Sequence, residues 1–267
     1  MRKSLLLFLA GTTAWAGGSL AAAGCPPIMP ADTPYATSYE EDAGPGGEFT
    51  IAMPAMLRDT CFRAPVIAWG NGSGTTPVVY REGLEYFAAA GFIVVAANTP
   101  RAGSGEEILA GAAWLAGAGE DPDSPWYGRI AADRMGASGH SLGGGGAIRA
   151  GMDPLIRTVA ALEPWNPPRN LQDLQGPVLF MSGDLDTVVR ASRVRDLYRR
   201  AVNAGIPGAW ANDLDAGHED LRDQFAVALL WFRATLQEDP DAAAAFTSKT
   251  CLLCLDPGWE VETALVD

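Results

Sequence analysis

Histidine is scarce in this 267-residue chain: there are two, His140 and His218, so any proton transfer needing an imidazole falls to one of them. Positive charge is also short. Nineteen Lys and Arg face 32 Asp and Glu, giving a formal net charge of -13. Such a surface repels nucleic acid and anionic membranes, which argues against both as partners. No apolar run is long enough to span a bilayer; Leu5 to Ala10 is too short and is followed by glycines. Cysteine is limited to four residues, and Cys251 and Cys254 have no histidine nearby to complete a zinc site. Glu120, Asp121 and Asp123 lack the rest of a calcium-binding EF-hand loop. No internal repeat is visible.

What is present reads as one α/β domain with a leader, an arm and a tail. Residues 1–23 have a basic start at Arg2 and Lys3, an apolar stretch, and Ala21-Ala22-Ala23 as a small-residue cleavage site, so a signal peptide and a secreted or periplasmic protein are expected. Ala22-Ala23-Gly24-Cys25 is a partial lipoprotein box, making a lipid anchor at Cys25 the alternative. Cys25, Cys61, Cys251 and Cys254 are an even set in an exported chain, which favours disulfides. Of the three pairings, Cys25–Cys61 would pin the N-terminal arm and Cys251–Cys254 would close a small late loop. Residues 24–47, rich in Pro, Gly and acidic side chains, read as that arm rather than as core. From residue 48 to 240, short buried strands alternate with helical patterns: Pro65–Trp69, Val79–Ala90, Phe92–Ala97, Gly105–Gly117. That alternation is the signature of a mostly parallel sheet with helices on both faces. Residues 241–267 form a tail packed on the domain.

The chemistry centres on Gly139-His140-Ser141-Leu142-Gly143, followed by Gly144, Gly145 and Gly146. A serine on a sharp strand-to-helix turn needs small neighbours, because the backbone is strained and its flanks must clear adjacent elements. Three more glycines inside a helix each disfavour it by about 1 kcal/mol, which is odd unless the space is needed. A nucleophilic serine requires a base and a group that orients the base. His140 adjoins Ser141, and adjacent residues on such a turn point apart, so His140 reads as a packed or wall residue. His218, in a loop between a strand and a helix, is the base candidate. The acid is expected between Ser141 and His218 in sequence. Asp184 and Asp186 both follow the strand at Val178–Met181. Asp186 is favoured because it leads into a helix whose amides would keep it charged, with Asp184 bracing the loop.

These motifs resemble the α/β-hydrolase superfamily, specifically its secreted bacterial cutinase and polyester-hydrolase branch, with chlorophyllase-like and dienelactone-hydrolase-like relatives. The resemblance runs from about Gly44 to Leu236. Asp186 lies 45 residues and His218 77 residues beyond Ser141, as in that branch. It implies an α/β-hydrolase fold without a large lid domain, and it strengthens Asp186 over Asp184. It also implies an aromatic substrate wall at Trp165, beside Asn166, where the branch commonly has histidine, with His140 assigned to the same wall. Where the branch usually has Pro-Gly-Tyr, this chain reads Gly70-Asn71-Gly72-Ser73-Gly74. By position, Asn71 or Gly72 would lend one oxyanion amide and Leu142 the other. The aromatic cover is lost, and Leu142 replaces a frequent methionine, which weakens any polymer activity. A three-glycine loop is expected to be open and mobile, with the Asn71 side chain dispensable.

The implied reaction is hydrolysis of short- to medium-chain esters through an acyl-enzyme, with polymeric esters such as cutin or synthetic polyesters as an extension. No metal or organic cofactor is required, and a monomer is expected. A non-polymer small-molecule esterase is the nearest alternative. A lyase or transferase with the same triad, and a catalytically silent binding protein on the same fold, are the others; a peptidase would need a cap this length lacks.

Overall fold

The computed structural model describes residues 25–28, 33–247, 249 and 251–265. The leader expected at 1–23 lies outside them.

In chain order the strands are β1 (Thr37–Ala43), β2 (Phe49–Pro54), β3 (Ala64–Gly70), β4 (Ile93–Ala97), β5 (Ile130–His140), β6 (Thr158–Leu162), β7 (Val178–Gly183), β8 (Gly208–Asp213) and β9 (Trp259–Thr263). The main helices are α1 (Arg81–Ala89), α2 (Glu106–Glu120), α3 (Leu142–Ala150), α4 (Ala191–Asn203) and α5 (Arg222–Leu236). One sheet holds all nine strands in the order β1-β2-β4-β3-β5-β6-β7-β8-β9. Strands β4 to β8 run parallel to one another. β1, β2 and β9 join antiparallel at the margins.

The core strands β3, β4, β6, β7 and β8 are buried along their whole length. Runs apolar on both faces must be covered on both faces, which parallel crossovers with helices achieve. Alternate residues divide accordingly. Val66, Ala68, Val178 and Phe180 join one apolar cluster with Ile108 and Leu115 of α2, Ile148 of α3 and Leu197 of α4. Ile67, Trp69, Leu179 and Met181 join the other with Leu84 and Phe87 of α1 and Phe225 and Phe232 of α5. The connection from β6 to β7, residues 163–177, carries no helix, so no lid is inserted there. This is the α/β-hydrolase architecture. No described helix is long and apolar enough to cross a membrane.

Two segments depart from the sequence expectation. Residues 37–43 of the supposed arm are a strand: β1 pairs with β2 from Thr37↔Pro54 to Ala43↔Phe49. The tail supplies β9, paired to β8 and clamped by Arg195 and Arg199 of α4 on Glu260 and Glu262. Both are edge strands carrying acidic side chains, as edges that avoid further pairing do. Disulfides join Cys25 to Cys61 and Cys251 to Cys254. The first holds a short stretch where Ile28 N–H donates to Arg63 O at 2.8 Å and Ile28 enters the core. A thioether lipid would need the same Cys25 sulfur.

The glycines of α3 explain their own helix-weakening presence. A Cβ on Gly143 would lie 2.0 Å from Gly70 O, on Gly145 2.1 Å from Trp165 O, and on Gly146 1.9 Å from Ala102 O. The helix therefore packs backbone to backbone on three neighbouring segments. One chemical change should have opposite signs in two helices. Gly145→Ala should destabilise by about 1–3 kcal/mol or more through overpacking. Gly117→Ala in α2, where nothing lies within 4 Å of the added carbon, should stabilise by about 1 kcal/mol. Urea denaturation of both variants checks this; equal shifts would contradict the packing argument.

Candidate active site

The site forms where parallel strands end, the usual place for function in open α/β sheets. β5 delivers His140 and leads directly into Ser141, whose backbone is left-handed at φ 53° and ψ -115°. Such strain persists only when surroundings over-determine it. Here Ser141 N–H donates to Leu162 O at 2.9 Å, and Ser141 O accepts from Trp165 N–H at 2.8 Å and Gly145 N–H at 3.1 Å. Ser141 then opens α3, whose first amides have no acceptor inside the helix.

Ser141 Oγ lies 3.0 Å from His218 Nε2, and His218 Nδ1 lies 2.7 Å from Asp186 Oδ2. Three residues far apart in sequence thus form one hydrogen-bonded line. Asp186 is buried, and its Oδ1 accepts from Val188 N–H at 2.6 Å and Val189 N–H at 2.8 Å. These amides precede α4 rather than belonging to it, so a local turn holds the carboxylate. Asp184 is exposed and accepts from Asn212 Nδ2 at 3.2 Å, away from the imidazole.

His140 is not a wall residue. It is 1% exposed. Its Nε2–H donates to the His218 carbonyl at 2.9 Å, and its Nδ1 accepts from the Tyr80 hydroxyl at 3.0 Å. Burial raises the Tyr80 pKa, which keeps that hydroxyl a donor. His140 therefore fixes the backbone of the His218 loop from behind. Trp165, 44% exposed, and Asn166 line a surface cleft of about 340 Å³ together with Val189, Arg193 and Leu197; Ser141 and His218 are not among its lining residues. Exposed Leu185 and Val188 lie on the loop between β7 and Val189.

The Asn71 loop also differs from expectation. Asn71 is fully buried, and its Nδ2 donates to Ala97 O at 2.7 Å and Thr99 O at 3.0 Å. Gly74 N–H reaches Pro100 O at 3.1 Å. The loop is fastened to the end of β4 rather than open. The Gly72 amide already donates to Tyr80 Oη at 3.0 Å, so it is not a free oxyanion donor. A Cβ there would lie 2.6 Å from that same oxygen and 3.1 Å from His140 Nδ1, so a larger residue would disturb the Tyr80–His140 contact.

One residue escaped the sequence reading. Glu163, at the end of β6, is fully buried, with Oε2 2.9 Å from His218 Nδ1 and 3.4 Å from His140 Nε2. It lies between Ser141 and His218 in sequence, one strand before Asp186. Burial pulls the His218 pKa down, and the Glu163 and Asp186 carboxylates more than reverse this, raising it to about 9. His140, Glu163 and His218 each bring a ligand atom within 4.8 Å of the others. A metal there would have to displace the His140–carbonyl and His218–Asp186 hydrogen bonds.

The PET hydrolase-like family profile matches residues 63–202, just over half the chain, and this span carries Ser141, Glu163 and Asp186. The chain belongs to that family. It is 29% identical over 190 residues to the bis(hydroxyethyl) terephthalate hydrolase of Streptomyces coelicolor, covering 68% of this chain and 56% of the relative. It is 28% identical over 144 residues to cutinase est1 of Thermobifida alba, covering 51% and 46%. A 61-residue stretch is 38% identical to cutinase 1 of Thermobifida cellulosilytica, covering 22% and 23%. The chain thus matches about half the length of the first two of these curated relatives.

Within this family member, the buried Asn71 side chain carries a stability prediction. Asn71→Ala removes the hydrogen bonds from the Asn71 amide to the buried Ala97 carbonyl and the part-buried Thr99 carbonyl, which should cost about 1–3 kcal/mol. It should also lower ester turnover by loosening the loop beside Ser141. Chemical denaturation with parallel kinetics checks both; a variant as stable as wild type would return the side chain to the dispensable role.

Proposed function

We propose that the protein is a serine carboxylic-ester hydrolase, with Ser141 as nucleophile, His218 as base and Asp186 as the acid that orients it. The observation that carries the reading is the line Ser141 Oγ–His218 Nε2 at 3.0 Å and His218 Nδ1–Asp186 Oδ2 at 2.7 Å. Neutral His218 accepts the Ser141 proton as Oγ attacks the ester carbonyl. The oxyanion develops beside the start of α3, where the Leu142 amide has no intrahelical acceptor, and a donor of this kind contributes about 3 kcal/mol. The Asn71 backbone amide is the second donor in this reading, since Gly72 is engaged by Tyr80. Protonated His218 then gives its proton to the leaving alcohol, and a water activated by the same imidazole releases the acid. No step requires a metal or organic cofactor.

For substrate, the reading is a short- to medium-chain ester whose acyl group lies along Trp165. The cleft is apolar on the Trp165, Val189 and Leu197 sides. Each buried CH₂ adds about 0.8 kcal/mol. The names of the relatives, a bis(hydroxyethyl) terephthalate hydrolase and cutinases, support esters of this size and make larger polyesters an extension. Export completes the reading: two disulfides suit an oxidising compartment.

Ser141→Ala should lower kcat/KM on p-nitrophenyl butyrate by at least ~10³-fold with the fold intact. Trp165→Ala should raise KM for butyrate and hexanoate esters more than for acetate. Near wild-type turnover by Ser141→Ala would remove the nucleophile, and an unchanged acyl-length ratio would remove Trp165 from the acyl site. Bis(hydroxyethyl) terephthalate in the same panel separates a simple ester site from one that admits an aromatic diester.

A further inference from the structure

Ends of three successive strands supply side chains to one imidazole: Ser141 after β5, Glu163 after β6 and Asp186 after β7. A single acid suffices to orient a base, so the second carboxylate calls for an explanation. Glu163 is fully buried. Its Oε1 accepts from Gln224 Nε2 at 2.8 Å, while Oε2 lies 2.9 Å from His218 Nδ1 without a hydrogen bond of its own, the Nδ1–H being directed at Asp186. The residue is held at φ 46°, a left-handed backbone a glutamate adopts only under constraint. A Cβ on Gly183 would lie 2.4 Å from Ala216 O and 3.1 Å from Glu163 Oε1, so Glu163 packs directly against the end of β7.

A buried carboxylate is retained where a cation or proton meets it. The ion-pair partners of Glu163 among the described residues are the two histidines. Both His140 ring nitrogens have hydrogen-bond partners other than Glu163: Nδ1 lies 3.0 Å from the Tyr80 hydroxyl and Nε2 2.9 Å from the His218 carbonyl. His218 is the nearer of the two, with Nδ1 2.9 Å from Glu163 Oε2 against 3.4 Å for His140 Nε2. The other groups facing it are Asp186 from the loop after β7, His140 from β5 with Tyr80 behind it, and Glu219 and Asp220 in its own loop, both exposed.

We propose that Glu163 is a second acid on His218: beside Asp186 it stabilises the protonated imidazole, sets the pH range in which the base is free, and holds the ring when Asp186 is lost. This rests on the reading of His218 as the base. Glu163 acts through His218, as a positioning residue. The sign follows from the chemistry. Only neutral His218 can take the Ser141 proton, and its pKa is about 9, so kcat/KM should rise with pH and level off above about 9. Removing the Glu163 charge removes one of the two groups that raise the pKa, so the rise moves toward neutral pH.

The test uses the full chain and its two histidines, whose ring resonances can be told apart by NMR. In wild type one imidazole should titrate near 9. In Glu163→Gln it should titrate at least about one pH unit lower, with the acid limb of kcat/KM moving by the same amount and plateau kcat kept within ~10-fold. Asp186→Asn should lose nearer ~10²-fold than the ~10⁴-fold of a triad with one acid, and the double variant should fall to the larger loss. Glu163→Asp, which draws the carboxylate back from His218 by one methylene, should shift the titration in the same direction by less, and it serves if Glu163→Gln fails to fold. An imidazole titration and acid limb unmoved in either folded variant would overturn the proposal. The titration needs no turnover, so a Ser141→Ala protein that stayed active would remove the base reading separately.

Discussion

The contact between Gly143 and the Gly70–Asn71 backbone is the constraint on which the rest depends. A methyl group at Gly143 would sit 2.0 Å from Gly70 O and 2.6 Å from Asn71 O. That approach seats the start of α3 on the end of β3, and with it fixes Ser141 in its left-handed turn. The same helix leans on Trp165 O through Gly145 and on Ala102 O through Gly146. Moving the Trp165 segment outward would break the hydrogen bond from Trp165 N–H to Ser141 O, one of those that hold the serine in place. The glycine run therefore exchanges intrinsic helix stability for a position that no helix with side chains could reach.

Around that frame the electrostatics oppose burial. Desolvation favours a neutral His218, whereas two buried carboxylates favour the imidazolium, and the carboxylates prevail. The arrangement suits the role proposed for His218, a base that becomes cationic as Ser141 attacks. Together the two carboxylates raise the His218 pKa to about 9. His140 and Tyr80 supply the rigidity: one imidazole, read in sequence as a neighbour of the nucleophile, instead grips the carbonyl of the other.

The inner sheet was legible because strands buried on both faces are nearly continuous apolar runs, and their helices repeat at the helical period. The edges were not. Tyr39 and Glu40 in β1, and Trp259, Glu260 and Val261 in β9, alternate apolar and acidic residues over short spans that resemble loop composition. Ser141 and His218 stood out through a glycine-framed turn and a shortage of alternatives. Glu163 did not, because nothing local marks it; its meaning comes from three strand ends converging. Asn71 misled for a related reason: three glycines around it signal freedom, while the side chain itself, anchored on Ala97 and Thr99, removes that freedom.

Covalent trapping reaches the central claim most directly. A p-nitrophenyl alkylphosphonate reacts with an activated serine and releases one nitrophenol per adduct. Intact mass and peptide mapping of the treated protein should show one phosphonyl group per chain, on Ser141, and none on Ser141→Ala. Labelling at another residue, or equal labelling of the alanine variant, would contradict the account.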